Sequence, residues 1–441
     1  MKIIVVGATA AGTTFAAKMR RNHKNAEIIL LEKSDTMSLG ACGLPFYVGG
    51  FFEDANAMIA RTPEQFIDSG ISARILHEAL ELDAGKKVLT IYDAENQQKY
   101  EENYDILVIA SGARVLPAPF SVAKNITLHT LRRLDDGGAL HHALRQKQHQ
   151  QVTIIGAGFI GIELIEACLN LGHKVTLVDV TKKPLARTFD EEFQDLVSLE
   201  LQNHNVTEIY GYCAESILED SSVVLENGES IASDLVIWSG GITPATEWLA
   251  SSGIHMERGV IQTNKDSLTS LPGVYAIGDC ATVHHSILNK PFYSPLATVA
   301  NKAGRALADH LAGISNGFTG MMGSASVKAC DLELVRVGLT EEEAKQHGIT
   351  YVSSFLEDRD HTGYYPGAQK IWIKLVYNLD GVILGAQIAG KRGAALRGSA
   401  MALAISKKMT VSELGFADIP YSPPFARTWD ALNVAGNISK L

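Results

Sequence analysis

The chain has 441 residues, of which 46% are hydrophobic and 20% charged, and its formal net charge is -10 at pH 7. This length exceeds what one hydrophobic core supports, so we expect about two to four domains. The acidic balance argues against general binding to nucleic acid or to an anionic membrane, because both need a basic surface.

Two further features of the composition narrow the class of protein. No apolar run approaches the roughly 18 residues of a membrane-spanning helix, so we expect no membrane partner. The cysteines are odd in number, widely scattered and without C-x-x-C spacing, which is typical of cytoplasmic proteins and indicates neither a disulfide framework nor a metal site. They are Cys42, Cys168, Cys213, Cys280 and Cys330.

The N-terminal segment predicts a βαβ unit, with a buried strand over 2–6, a glycine turn over 7–12, a helix to about residue 22 and a strand over 26–32. Glu32 follows the glycine turn by about twenty residues, where a carboxylate accepts hydrogen bonds from a ribose and the helix amides bind a pyrophosphate. Thr9 replaces the middle glycine of G-x-G-x-x-G. An ordinary strand-to-helix turn therefore remains an alternative for this copy alone.

A loop of small residues over 38–50 follows and contains Cys42 without a neighbouring second cysteine. A buried structural thiol is the usual state of a free cysteine. The loop alone favours that interpretation, and only the rest of the chain argues for a chemical role.

The second βαβ unit carries the complete fingerprint, Gly156-Ala157-Gly158-Phe159-Ile160-Gly161, between strands predicted at 151–155 and 174–178. Asp179 ends the second of these strands. Two such units in one chain are a strong signal for two bound dinucleotides. A carboxylate accepts from a 2'-hydroxyl and repels a 2'-phosphate, which favours NADH over NADPH. Lys182 and Lys183 follow closely and would weaken that preference if they face the ribose, although surface lysines are more often simply solvated.

The strand and small-residue turn predicted over 104–113 is repeated over 233–241, which implies that one nucleotide domain is inserted into the other. A strand over 271–279 and a helix over 294–311 then return the chain to the first domain. From about residue 320 the pattern becomes antiparallel, with a hairpin of strands 369–377 and 382–388 and a helix over 394–408. This third, α+β domain has no nucleotide fingerprint and suits an assembly interface.

In combination these motifs resemble the pyridine nucleotide-disulfide oxidoreductases, and within them the single-cysteine group of coenzyme A-disulfide reductase, NADH oxidase and NADH peroxidase. The resemblance spans essentially the whole chain. It implies an α/β fold with an FAD-binding Rossmann-like domain (1–113 and 245–319), an inserted NAD(P)-binding Rossmann-like domain (114–244) and a C-terminal α+β dimerisation domain (320–441).

The resemblance also implies the residues that bind each cofactor. Those for FAD are Gly7, Ala8, Ala11, Gly12, Glu32, Lys33, Ser111, Gly112, Gly278, Asp279, Pro295, Leu296, Ala297 and Thr298. Those for NADH or NADPH are Gly156, Gly158, Phe159, Ile160, Gly161, Glu163, Asp179 and Gly241.

By the same resemblance Cys42 is the redox-active residue. A lone thiol beside a flavin holds one oxidised sulfur, as a mixed disulfide or a sulfenic acid, and receives electrons that pass from the nicotinamide through FAD. The thiolate is the reacting form, so we expect its pKa to lie below about 8.5. Tyr364 and Tyr421 match the tyrosines of coenzyme A-disulfide reductases and are candidate general acids, with interface tyrosines as the alternative. Ala10 stands where peroxidase and oxidase members carry a histidine.

Coenzyme A carries phosphates, so its site should be basic. Thr14, Lys18 and Arg21 fall on one face of the first helix, although basic residues near a helix C-terminus also balance its dipole. Ser38 matches the loop of the family, and Arg427 would compensate for the family's basic residue that is replaced around Trp429. The expected substrate residues are Thr14, Lys18, Arg21, Ser38, Asn301 and Arg427.

The favoured hypothesis is a cytoplasmic homodimer that reduces coenzyme A disulfide, or a related small disulfide or persulfide. In this hypothesis Tyr364 and Tyr421 reach Cys42 of the partner subunit. The second is an NADH oxidase that reduces O2 through a Cys42 sulfenate or at the flavin. The third is a flavoprotein redox sensor that responds to NADH.

Overall fold

The computed structural model describes residues 1–440. Its first domain is built on a five-stranded parallel sheet of buried β-branched and aliphatic residues. In spatial order the strands are Val274–Ala276, Ile106–Ile109, Lys2–Val6, Glu27–Leu31 and Ser72–Arg74. The strand Val274–Ala276, which follows the inserted domain in the chain, lies at the sheet edge, so this domain is assembled from two separated segments.

Helices Ala10–Asn22 and Ala297–Leu311 pack together on this sheet. Gly304 allows their close approach, because a Cβ there would lie 2.5 Å from the carbonyl oxygen of Ala11. The domain also contains helices Leu44–Val48 and Pro63–Asp68 and the short 3-10 helices Ala41–Gly43, Ala55–Met58 and Glu247–Leu249. Its other strands are His77–Asp83, Val88–Asp93, Gln98–Asn103, Met256–Glu257, Val260–Ile261, Thr282–His285 and Lys290–Tyr293.

The inserted domain repeats the parallel design with strands in the order Thr207–Tyr210, Lys174–Asp179, Gln151–Ile155 and Leu235–Trp238. Its helices are Leu134–Gln146, Phe159–Asn170 and Glu191–Asn203, and a smaller sheet contains Ser121–Val122, Ala214–Ile217, Val223–Leu225 and Ser230–Ile231. The chain enters through strand Ala113–Val115 and leaves through Ile242–Pro244, and these two strands pair antiparallel. The connection between the two nucleotide domains is therefore a two-stranded ribbon.

The C-terminal domain is a five-stranded antiparallel sheet in the order Ala325–Ala329, Leu332–Gly338, Ile383–Gly390, Lys370–Tyr377 and Val352–Arg359. The predicted hairpin turn is present, and Gly381 adopts the positive φ of +78° that such a turn requires. The domain's helices are Glu341–Gln346, Ala394–Ser406, Val411–Gly415 and Ala431–Ile438. The predicted α/β fold with two Rossmann-like domains and a C-terminal α+β domain is confirmed.

Some predicted bounds were too long. The strand predicted over 271–279 is only Val274–Ala276, and the helix predicted from 294 begins at Ala297. Pro295 and the extended backbone of Leu296 delay the helix start. Among residues 1–440, no helix combines the length and apolarity needed to cross a bilayer.

Candidate active site

The first glycine turn is closed by backbone packing and by one carboxylate. Gly7 has φ +102°, and a Cβ there would overlap the carbonyl oxygen of Ala110. Glu32 accepts a hydrogen bond of 3.0 Å from the amide of Ala8 and bonds of 3.0 and 2.8 Å from the amide and hydroxyl of Ser34. The acid that ends the second strand is thus held directly against the turn.

The second glycine turn repeats this arrangement atom by atom. Asp179 accepts from the amide of Ala157 at 2.6 Å and from the amide and hydroxyl of Thr181 at 2.7 and 2.6 Å. Gly156 has φ +118°, and a Cβ there would come within 2.5 Å of Ser239. The internal repeat inferred from the sequence therefore extends to the hydrogen bonds of the two turns.

Both turns present unpartnered amides at the start of a helix. Thr9 and Gly158 precede their helices without any side-chain cap, so the first N–H groups are available to an anion. No protein atom lies within 4 Å of a Cβ built at Gly158 or Gly241, which leaves room for a ligand against the backbone. The donor sets fit a dinucleotide at each turn, with the pyrophosphate on the amides and the ribose at the carboxylate.

A cavity of about 890 Å³ opens from the first turn and contains most of the expected FAD residues. Its size lies in the upper range for cofactor sites, roughly 300–1,000 Å³. The expected FAD residues on its wall are Gly7, Ala11, Glu32, Lys33, Ser111, Gly112, Gly278, Asp279, Pro295 and Ala297. These positions come from five separate segments of the chain, and the cavity brings them together.

Four expected FAD residues do not line the cavity. Ala8 is buried and contributes its amide to Glu32, and Gly12 lies beneath the turn against the carbonyl oxygen of Gly7. Leu296 precedes the helix, and Thr298 is exposed one residue beyond Ala297, about 100° further around the helix. Direct contact of these four side chains with the cofactor is not supported by the structure.

Cys42 lies in the turn Ala41–Gly43 on the cavity wall, and its side chain is exposed. The buried structural cysteines are instead Cys168, Cys280 and Cys330. The expected lowering of the Cys42 pKa is wrong for this chain. The surrounding protein atoms raise the pKa of the thiol by desolvation, and the charges of Glu163 and Asp279 raise it further, while Arg132 opposes them.

Glu163 and Arg132 place charges near Cys42 whose effect on the thiol the sequence motifs did not predict. Burial, assisted by Glu166, raises the pKa of Glu163 to about 7, so this expected NAD(P) residue changes charge near neutral pH. Arg132 Nη2 lies 2.8 Å from Asp279 Oδ2. Nothing in the sequence distinguishes Arg132 from Arg133 beside it, and the motifs did not predict its role.

The candidate general acids contact each other and not the cavity of their own chain. The hydroxyl oxygens of Tyr364 and Tyr421 are 3.0 Å apart, and the two residues are 75% and 42% exposed. The hydrogen bond from Tyr364 lowers the pKa of Tyr421, and the same bond raises the pKa of Tyr364. Within one chain the structure does not bring either phenol to the cavity wall that holds Cys42.

The expected substrate residues divide into two groups. Thr14, Arg21, Ser38 and Asn301 line the cavity, and the Thr14 hydroxyl donates to Asn301 Oδ1 at 2.6 Å. Lys18 and Arg427 do not lie on the cavity wall.

Both of these cations are already paired with acids. Lys18 Nζ is 2.9 Å from Asp309, whose side chain is only 7% exposed, and Arg427 pairs with Asp358. Arg61, which the sequence did not single out, also lines the cavity and lies 4.4 Å above the ring of Phe66.

One cluster of metal-ligand type occurs in residues 1–440, formed by Glu200, His204 and Asp331. Lys391 Nζ lies 3.4 Å from Glu200 and 3.5 Å from Asp331. The lysine supplies a positive charge to both carboxylates, and His204 lies 3.3 Å from Glu200 and 3.5 Å from Asp331, so the three residues are part of an ion-pair network.

The sequence of the chain matches both protein-family models and known proteins. The sequence-family model of the pyridine nucleotide-disulphide oxidoreductases matches residues 1–304. The family model of their dimerisation domain matches residues 324–432. A coenzyme A disulfide reductase of Staphylococcus aureus is 31% identical over 443 residues, which cover 100% of both chains.

Two solved structures are also similar. Reduced Bacillus anthracis CoADR-RHD has a TM-score of 0.95 and 31% identity over 99% of this chain and 79% of that one. The water-forming NADH oxidase from Lactobacillus brevis bound to NADH has a TM-score of 0.93 and 28% identity over 99% and 97%. By its sequence and by the two glycine turns and lone thiol of its site, the chain belongs to the pyridine nucleotide-disulphide oxidoreductases.

Proposed function

We propose that this protein is an FAD-dependent enzyme that passes electrons from NADH or NADPH through Cys42 to coenzyme A disulfide. One observation carries the proposal. Of the five cysteines, all within the described residues, Cys42 alone lies on the wall of the cavity that contains the expected FAD residues. The chemistry must therefore proceed through one sulfur.

A single sulfur reduces a disulfide in two steps. The Cys42 thiolate attacks one sulfur of the substrate, forms a mixed disulfide and releases the first thiolate. Two electrons and one proton then break the mixed disulfide, so that the second thiol leaves and the Cys42 thiolate returns. FAD, when bound, supplies the two-electron relay from the nicotinamide. The net reaction consumes one disulfide, one reduced nicotinamide and one proton and yields two thiols and one oxidised nicotinamide.

The substrate class is inferred from the rest of the cavity wall. Arg21 and Arg61 offer guanidinium groups to phosphates, which coenzyme A carries. Ala10 also lines the cavity and supplies no ionisable group for peroxide chemistry. The curated coenzyme A disulfide reductase that resembles this chain over its full length supports the same substrate.

In this proposal the general acid for each Cys42 is supplied by the other subunit of a homodimer. Tyr364 and Tyr421 lie in the segment that matches the dimerisation domain and do not line their own chain's cavity. In a homodimer this tyrosine pair would reach the partner subunit's Cys42 and protonate the departing thiolate. The lowered pKa of Tyr421 suits that role.

NADH is the preferred nicotinamide in this proposal. Asp179 retains its carboxylate at the ribose position, and its charge repels a 2'-phosphate. Lys183 does not relieve that repulsion, because its ammonium pairs with Glu191 and Asp195.

The decisive experiment is the Cys42→Ser variant with anaerobic coenzyme A disulfide as acceptor. We expect disulfide reduction to be lost while FAD absorbance and NADH-dependent flavin reduction remain. Cys213→Ser is the matched control, since Cys213 is also exposed but lies off the cavity. Full turnover in the Cys42→Ser variant would refute the proposed mechanism.

An NADH oxidase is the second candidate, and the fold similarity to the Lactobacillus brevis enzyme favours it. NADH consumption with oxygen alone, compared with anaerobic coenzyme A disulfide, separates the two functions. Rapid oxygen reduction without disulfide reduction would replace the first proposal.

A further inference from the structure

Arg132 is fixed just before the first helix of the inserted domain, Leu134–Gln146. The carboxylate of Asp136 accepts hydrogen bonds from the amides of Arg132 and Arg133 at 3.0 and 2.8 Å, just before helix Leu134–Gln146. The backbone carbonyl of Arg133 also accepts from the amide of Gly137. These bonds hold the backbone of Arg132 while its side chain extends to the other nucleotide domain.

The side chain ends in an ion pair on the cavity wall. Its Nη2 lies 2.8 Å from Asp279 Oδ2, and only 28% of the Arg132 side chain and 15% of the Asp279 side chain are exposed. Both residues line the cavity that contains Cys42. Solvent screens charges at this depth less than it screens surface charges, so the pair influences other groups on the same wall.

The charges that act on Cys42 are unbalanced without this arginine. Glu163, from helix Phe159–Asn170, and Asp279 both disfavour a thiolate, and the charge of Arg132 opposes them. Removal of Arg132 would delete a positive charge and also leave the negative charge of Asp279 uncompensated. Both changes act in the same direction on the sulfur.

We propose that Arg132 is the electrostatic partner of the reacting sulfur: bound to Asp279 across the domain boundary, it neutralises that carboxylate and supports the Cys42 thiolate. Arg132 is a positioning residue in this role, because it acts through Asp279 and through its charge. The inference rests on the proposed function in which Cys42 reacts as a thiolate.

The test measures the charge state of the sulfur without using turnover. Holoenzyme reduced with dithiothreitol and desalted anaerobically is treated with iodoacetamide between pH 6 and 10. Peptide mass spectrometry then gives the alkylation rate of Cys42 and, in the same sample, that of the exposed Cys213 as an internal reference. Iodoacetamide reacts with the thiolate, so the rate follows the thiolate fraction.

We expect Arg132→Gln to slow the alkylation of Cys42 by about tenfold at pH 7 and to move its profile about one pH unit upward. Arg132→Lys retains the charge and should stay within about threefold of the wild-type rate. Arg133→Gln is the matched control, because this neighbouring cation pairs instead with Asp135 at 3.6 Å. Alkylation of Cys213 should not change in any variant.

The double variant Arg132→Gln/Asp279→Asn separates charge from packing. It replaces the ion pair by two neutral amides, so the net charge beside the sulfur returns to the wild-type value. We expect Cys42 alkylation within about threefold of the wild-type rate, faster than in Arg132→Gln. Because Asp279 lines the expected FAD site, the wild type and every variant are also compared as FAD-free protein. The ion pair of Arg132 with Asp279 is made by the chain itself, so we expect the same order of rates without FAD.

Two results would overturn the inference: wild-type alkylation in a folded Arg132→Gln variant, or a double variant as slow as about one-tenth of the wild type. Neither result depends on which disulfide the enzyme reduces. Failure of the proposed function appears instead as retained turnover in Cys42→Ser, so the two failures are distinguishable.

Discussion

Lys374 joins the C-terminal domain to the inserted nucleotide domain, and its replacement should weaken that junction. Only 3% of its side chain is exposed. Its ammonium lies 2.9 Å from both carboxylate oxygens of Glu192, 2.6 Å from Glu341 and 3.4 Å from Asp190. Gln387 completes the junction by donating to Asp190 at 2.6 Å. Lys374→Met therefore removes one cation that serves three carboxylates.

The magnitude follows from the exposure of those carboxylates. Removal of one partner from a buried ion pair costs about 3–5 kcal/mol. Asp190 is 7% exposed and bears the full effect, whereas Glu341 at 30% and Glu192 at 40% are relieved partly by solvent. We expect Lys374→Met to lower the free energy of unfolding by about 2–4 kcal/mol.

The matched control is Lys183→Met. Lys183 also pairs with two acids of the helix Glu191–Asn203, but these acids are 76% and 60% exposed. A surface ion pair of this kind contributes about 0–1 kcal/mol. Urea unfolding at pH 7, followed by tryptophan fluorescence and by release of FAD, gives both values. Equal midpoint shifts in the two variants would refute the reasoning.

The same junction predicts a pH dependence. Burial acts to raise the pKa of Glu341, but the hydrogen bonds with Lys374 and Ser353 and the charge of Lys374 together outweigh it and hold the pKa below the ordinary 4.5. A depressed carboxylate pKa stabilises the folded state above pH 4.5, and this contribution is lost as the pH falls through the folded value. The difference between the wild type and Lys374→Met should therefore be constant from pH 6 to 8 and shrink below about pH 4.5.

Three further variants test the cofactor turns and the tyrosine pair. Gly7→Ala places a Cβ on the Ala110 carbonyl at a positive φ, so the purified protein should lack FAD, as its visible absorbance would show. Asp179→Ser removes the charge that repels a 2'-phosphate, so the ratio of kcat/KM for NADPH to that for NADH should rise by at least about tenfold. Tyr421→Phe removes a phenol whose pKa is lowered by Tyr364; disulfide turnover should fall, and its decline at alkaline pH should disappear from the pH–rate profile.

The features that the sequence predicted well are local in the chain. A glycine turn, the helix after it and the acid that ends the next strand lie within about thirty residues, so their spacing alone predicts the geometry. Glu32 and Asp179 confirm this, because each accepts hydrogen bonds from its own turn and from the hydroxyl two residues beyond. Helix periodicity likewise predicted Ala394–Ser406 to within two residues.

The features that the sequence missed depend on partners far away in the chain. Lys18 has the spacing of a phosphate-binding residue on the first helix, but its ammonium pairs with Asp309, which is 291 residues later. Arg132 meets Asp279 after 147 residues. Periodicity contains no information about such pairs, because a charged side chain on a helix face is equally suited to solvent and to a distant acid.

The proposed reaction needs both cofactor binding and acceptor recognition, and these two differ in how far apart their residues lie in the sequence. Cofactor binding uses backbone amides and one acid per turn, so the same solution occurs twice in one chain and is visible in both copies. The proposed acceptor recognition depends on single side chains such as Arg21 and Arg61, which line the cavity and come from different segments of the chain. The residues of the proposed electron-transfer apparatus are therefore close together in the sequence, whereas those of the proposed acceptor site are not. The acceptor is for this reason best identified through the groups on the cavity wall around Cys42.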